Sequence, residues 1–109
     1  MNRDEVYLRH ILDAIQKIER YVDVGHDQFV TESMRHDAVI RQVEIIGEAA
    51  KRLSSQTLGR SPEIPWRQVA GMRDVLIHNY MGVDLERIWN VLQHDLPPLR
   101  KAVQELLKG

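Results

Sequence analysis

The chain has 109 residues, with 15 Lys and Arg against 16 Asp and Glu, and no cysteine. That length suits a single domain over residues 1–109, and the missing cysteines exclude a disulfide framework and a thiolate zinc site. Near-neutral charge excludes a protein that coats nucleic acid broadly, which needs a cationic excess, but leaves a local basic site open.

Met1 is followed by Asn2, Arg3, Asp4 and Glu5, without the apolar stretch of an export signal. No apolar run is long enough to span a bilayer, so the expectation is a soluble cytoplasmic protein.

Tyr7, Ile11, Ala14, Ile15, Ile18, Tyr21 and Val22 repeat at helical spacing and predict an amphipathic helix over 3–24, stopped by Gly25. Residues 26–31 read as a short link anchored by Phe29. Thr31 or Ser33 is the expected cap of a second long helix, from 34 to about 57, with Val39, Val43, Ile46, Ala50 and Leu53 as its stripe. Gly47, in mid-helix, suggests close approach of another helix; a tolerated surface glycine is the alternative.

Gly59, Ser61, Pro62 and Pro65 mark a loop over 58–65. A third helix from Trp66 to Asn79 or Tyr80 is apolar on more than one side, so it is expected at the centre or at an interface, with Met81-Gly82 as its break. Asp84 then caps a fourth helix and Asp95 a fifth, with Pro97 and Pro98 in the first turn of the fifth. One kinked rod is the alternative for that pair. The predicted architecture is an all-α up-and-down bundle of four or five helices.

His10, His26, His36, His78 and His94 show no H-x3-H or E-x-x-H pair on one helix, so no metal and no cofactor is expected. His26, His36 and His94 read as exposed polar residues beside helix ends. No nucleophile elbow or phosphate loop occurs. One segment stands apart: Arg73, His78, Asn79 and Tyr80 fall within eight residues at the end of an apolar helix. A histidine with an ordinary pKa of about 6.5 can move protons at neutral pH. An arginine can hold the oxygens of a phosphoryl transition state. Together they suit metal-free RNA cleavage by attack of a 2′-hydroxyl on its neighbouring phosphate. Asn79 and Tyr80 can orient the phosphate or stack a base, and Tyr80 is itself a modifiable hydroxyl. On a straight helix, however, Arg73 and His78 lie about 140° and about 7.5 Å apart. A helix that unwinds after His78, or a second copy of the chain, would bring them together. A helix end decorated with polar caps is the plain alternative.

Arg73 to Tyr80 matches the R-x4-H-x-Y motif, and the chain resembles the HepT-like branch of the HEPN superfamily over residues 3 to about 107. Supporting stretches are Arg41 to Ala50 with its Gly47-Glu48-Ala49, Ile64-Pro65-Trp66, Gly71-Met72-Arg73, Val83-Asp84 and Ile88-Trp89. The resemblance implies a HEPN-like helical bundle that forms a homodimer, with the motifs facing across a cleft, and a metal-independent endoribonuclease. It also implies a toxin–antitoxin system in which an MntA-like nucleotidyltransferase antitoxin transfers AMP to the motif tyrosine. Carried over residue by residue, Arg73 and His78 become the catalytic pair, Tyr80 the AMPylation site, and Asn79 a phosphate-supporting neighbour. Glu48 becomes a candidate partner of Arg73, with a surface glutamate as its alternative. Arg41, Lys51, Arg52, Arg60 and Arg67 are candidates to widen an RNA groove, a solvated helix face being the alternative. The rival functions are a noncatalytic bundle that docks a nucleotidyltransferase or binds nucleotide, and a structural dimer with a relic motif.

Overall fold

The first apolar stripe folds as its spacing predicts. In the computed structural model, which describes residues 3–81 and 84–109 apart from the side chains of Asn79 and Tyr80, α1 spans Arg3–Val22. It buries Leu8, Ile11, Ala14, Ile15 and Ile18, each no more than one helical turn from the next. Gly25 takes φ of 94°, a left-handed conformation that suits glycine, and its N–H bonds to the Val22 carbonyl at 3.1 Å.

The expected link over 26–31 is itself helical: α2 spans His26–Thr31. Six residues are too few for an apolar period to show in sequence. Its anchor is the expected one, since Phe29 is fully buried. The next helix, α3, spans Ser33–Lys51. Neither Thr31 nor Ser33 caps it. Extended Glu32 holds the cap position and its carboxylate pairs with Arg35, while the Thr31 hydroxyl donates back to the Gln28 carbonyl.

α3 ends well before residue 57, and a separate α4 spans Ser55–Gly59. Side-chain hydrogen bonds explain the break. Ser54 accepts from the Thr57 N–H, and both hydroxyls donate to the Asp4 carboxylate of α1, which also receives the Ser54 N–H at 3.2 Å. These donors, Ser54 first, hold the Asp4 carboxyl below its usual range.

The third predicted helix is two. α5 spans Trp66–Ala70 and α6 spans Met72–Met81, with Gly71 as the joint, its N–H shared between the Arg67 and Gln68 carbonyls. Gly82 and Val83, the expected break, lie outside the described residues. Downstream, the one-rod alternative is the structure: α7 spans Leu85–Lys108, with Pro97 and Pro98 inside it. Asp84 caps it by accepting from the Arg87 N–H at 3.1 Å, whereas Asp95 is interior and caps nothing. Two prolines cost two intrahelical hydrogen bonds. The buried stripe of Ile88, Leu92, Leu96, Leu99, Val103 and Leu106 runs across them without interruption and holds the rod to the core.

The described residues form seven helices, an all-α bundle. α1 packs along α3 and α7; α3 also receives α5 and α6, and α6 rests on α7. Gly47 is buried where α3 meets the end of α5, and a Cβ there would stand 3.0 Å from the Ala70 carbonyl oxygen. Close approach of another helix is therefore its role. No helix among the described residues is long and apolar enough to cross a membrane.

Candidate active site

The helix that carries the motif is short and only shallowly seated. α6 buries Met72 and Leu76, an i, i+4 pair, and leaves the apolar Val75 and Met81 exposed at 46% and 77%. Arg73 and His78 are both exposed on it. The backbone of Asn79 and Tyr80 continues the helix; their side chains are outside the described residues.

Arg73 is not loose. Its Nε donates to Glu44 of α3 at 2.8 Å, and its Nη1 lies 3.6 Å from Asp74. Glu44 also accepts from Arg41, one helical turn back. The two guanidiniums, Arg41 first, hold the Glu44 carboxyl below its usual range. The sequence pointed instead to Glu48. That side chain lines the same groove but pairs with Lys51 at 3.5 Å. The only local signal for Glu44 was an i, i+3 spacing to Arg41; its bond to Arg73 spans 29 residues and leaves no pattern in the sequence.

Because α6 is continuous through Met81, four residues separate Arg73 and His78 on an unbroken helix. They open to different depressions. Arg73 lines a groove walled by α1 and α3, while His78 lines a shallow hollow with Val75 and Arg87. Among the described residues, only Asp74 borders both. One chain thus offers an arginine suited to a phosphoryl group and a histidine suited to proton transfer, on separate faces of one exposed helix.

The candidate groove cations divide. Arg41, Lys51 and Arg52 line the groove beside Arg73. Arg60 instead donates to the Leu106 carbonyl of α7 at 3.3 Å, and Arg67 lies outside the lining.

Two histidines depart from the expected exposed positions. His36 is buried, with Nε2 2.6 Å from the Phe29 carbonyl oxygen and its ring edge-on to Phe29. His26 is half-buried, set between Asp27 at 2.9 Å and Glu86 of α7, and edge-on to Trp89. His94 is exposed, with Nδ1 2.8 Å from the Asn90 carbonyl oxygen. Among the described residues, no three histidines or carboxylates converge as a metal site would require.

The family model described as HepT-like, Ribonuclease HepT-like, matches residues 11–106. A Methanocaldococcus jannaschii protein named gamma-glutamylcyclotransferase and putative RNase is 43% identical over 99% of the chain and 50% of its own length. A Caldanaerobacter subterraneus subsp. tengcongensis protein named putative RNase is 38% identical over 99% of the chain and 97% of its own length. A Thermococcus cleftensis protein named probable ribonuclease HepT is 41% identical, covering 94% of each chain. The chain thus spans half of the first of these relatives and nearly all of the other two. No solved structure matches.

Proposed function

Because the chain belongs to the HepT-like ribonuclease family, we propose that it is the toxin of a toxin–antitoxin pair, a metal-independent endoribonuclease that works as a homodimer. The observation that carries this reading is the placement of Arg73 and His78 on one exposed helix but over different depressions. A second copy that meets α6 supplies the missing half of each site. The exposed Val75 and Met81 give that meeting an apolar contact.

In the composite site, an RNA 2′-hydroxyl attacks the adjacent phosphorus. The new 2′-O–P bond forms as the P–O5′ bond breaks. The His78 of one copy takes the 2′-hydroxyl proton and hands it to the departing 5′-oxygen. Arg73 faces the charge that builds on the non-bridging oxygens. The products are a 2′,3′-cyclic phosphate and a 5′-hydroxyl. Asn79 supports the phosphate, Tyr80 positions the RNA, and Glu44 aims Arg73.

Control falls to an MntA-like nucleotidyltransferase antitoxin. The Tyr80 phenol oxygen attacks the α-phosphorus of ATP and pyrophosphate leaves. The added AMP places a negative phosphate two helical turns from Arg73, where it competes with RNA phosphate.

The test is incubation of the purified protein with RNA in EDTA. Expected are 2′,3′-cyclic-phosphate ends, reduced about 10²–10⁴-fold by His78→Ala and by Arg73→Ala. Cleavage that survives His78→Ala overturns the site. Co-expression with the transferase adds about 329 Da per AMP, lost in Tyr80→Phe. If no RNA is ever cut while the transferase binds tightly, a noncatalytic docking module replaces the nuclease.

A further inference from the structure

The groove that ends at Arg73 has a volume of about 480 Å³, within the roughly 300–1,000 Å³ range of small-ligand sites. Tyr7 of α1 stands on one wall, with Arg41, Lys51 and Arg52 of the α3 side on the other. The carboxylates that also line it are each committed to a cation: Glu44 to Arg41 and Arg73, Glu48 to Lys51, and Asp74 to Arg73.

Arg52 differs. Among the described residues it has no carboxylate partner, and its neighbour is a neutral phenol. Arg3 approaches the same phenol from the start of α1, and the two guanidiniums, Arg3 first, hold the Tyr7 hydroxyl below its ordinary pKa. The Tyr7 ring meets His10 edge-on at 6.0 Å. An arginine without a carboxylate partner among the described residues, a second arginine beside Tyr7, a polarised hydroxyl and an aromatic surface therefore lie together on the Tyr7 side of the groove. In a chain of net charge −1, that is a concentrated cationic point.

We infer that this groove carries the single-stranded RNA that flanks the cleaved phosphate, with Arg3 and Arg52 gripping a backbone phosphate and Tyr7 stacking a base. The inference rests on the ribonuclease reading and extends it, because neither Tyr7 nor Arg3 belongs to the motif. Guanidiniums present forked donors that match phosphate oxygens. Among the described residues Arg52 gives up no ion pair to take one, and Arg3 is shared only with Asp4, whose carboxylate already accepts from the Ser54 and Thr57 hydroxyls. A ring beside a cationic track binds any base by its π-face, so the groove adds affinity without sequence choice. Length preference follows: RNA long enough to reach from Arg73 to Tyr7 binds more tightly than a dinucleotide.

The test uses the full chain and a fluorescent single-stranded 2′-O-methyl RNA, which lacks the attacking hydroxyl. Binding is then read whether or not the protein cuts RNA. Affinity is measured by anisotropy across a salt series. Each lost phosphate contact lowers the slope of log K against log salt by about 0.7 for single strands. Arg52→Ala is expected to lower it by about that amount, the Arg3→Ala/Arg52→Ala pair by about twice as much, and Arg52→Lys to keep it. Tyr7→Ala weakens binding several-fold and leaves the slope alone, since stacking releases no counterions. Lys101→Ala, an exposed cation on α7, changes neither. Thermal melts confirm that the variants fold.

Wild-type affinity and slope in the double variant overturn the inference, as does failure of the wild-type chain to bind the probe. So does displacement of the probe by an acidic peptide at lower concentration than by unlabelled RNA, which would make the groove a protein-docking site. The two readings separate cleanly. RNA cut normally by a double variant with unaltered binding removes the groove and keeps the nuclease. Groove-dependent binding without cleavage removes the nuclease and keeps the groove.

Discussion

His26 and Glu44 owe their settings to partners 60 and 29 residues away, and those partners decide what each can do. Glu44 lies between two guanidiniums and fixes the direction of Arg73. His26 lies between two carboxylates, and Asp27 first, then Glu86, raises its pKa above the usual 6.5. A raised folded pKa means that the folded state favours the protonated ring. The stabilisation is therefore fully present below the unfolded pKa and is lost as pH rises through the folded one. Since His26 ties α2 to the first turn of α7, next to the motif helix, the effect belongs to that corner. The expected outcome is a thermal midpoint that falls as pH rises above about 6.5 in the wild-type chain, and falls less in His26→Gln. Equal slopes in melts of the two proteins would contradict the clamp.

At the scale of elements, the long amphipathic helices were legible and the short ones were not. α1 and the burial stripe of α7 follow from period alone, since several turns repeat the same signal. α2 and α4 have five or six residues, and their ends are set by Gly25 and by the Ser54–Asp4 bond from another helix. The prolines at 97 and 98 read equally as a helix start or as interior residues, and packing on both sides chose the interior. Gly47 is the element contact with a measurable consequence. Alanine there gains up to about 1 kcal/mol of helix propensity. Its Cβ would stand 3.0 Å from a backbone oxygen, which cannot rotate away, and overpacking of that kind costs about 1–3 kcal/mol. Gly47→Ala should lower the thermal midpoint by several degrees, and Gly47→Leu should lower it much further. A midpoint raised by alanine would mean that α5 yields.

Taken whole, the molecule separates its two motif side chains by the geometry of an unbroken helix, and a pairwise prediction follows. Arg73→Ala and His78→Ala should each be inactive alone. Mixed, they form a dimer in which one composite site keeps both groups, so RNA cleavage should return on mixing. Activity that stays absent in a mixed dimer verified by mass would place the working pair within one chain.

The sequence by itself determined the helical class, the main buried stripes, the family and the residues of the motif, because these depend on period and local spacing. It also named Arg41, Lys51 and Arg52 among the groove cations, but with Arg60 and Arg67 beside them. Only the tertiary structure decided between these, seated Glu44 rather than Glu48 on Arg73, buried His36, and set Tyr7, with Arg3 beside it, across the groove from Arg52. Each of those outcomes is a contact between helices distant in the chain, and side-chain chemistry alone allows several partners. Packing of α1 and α6 against α3 selects which partner is within reach.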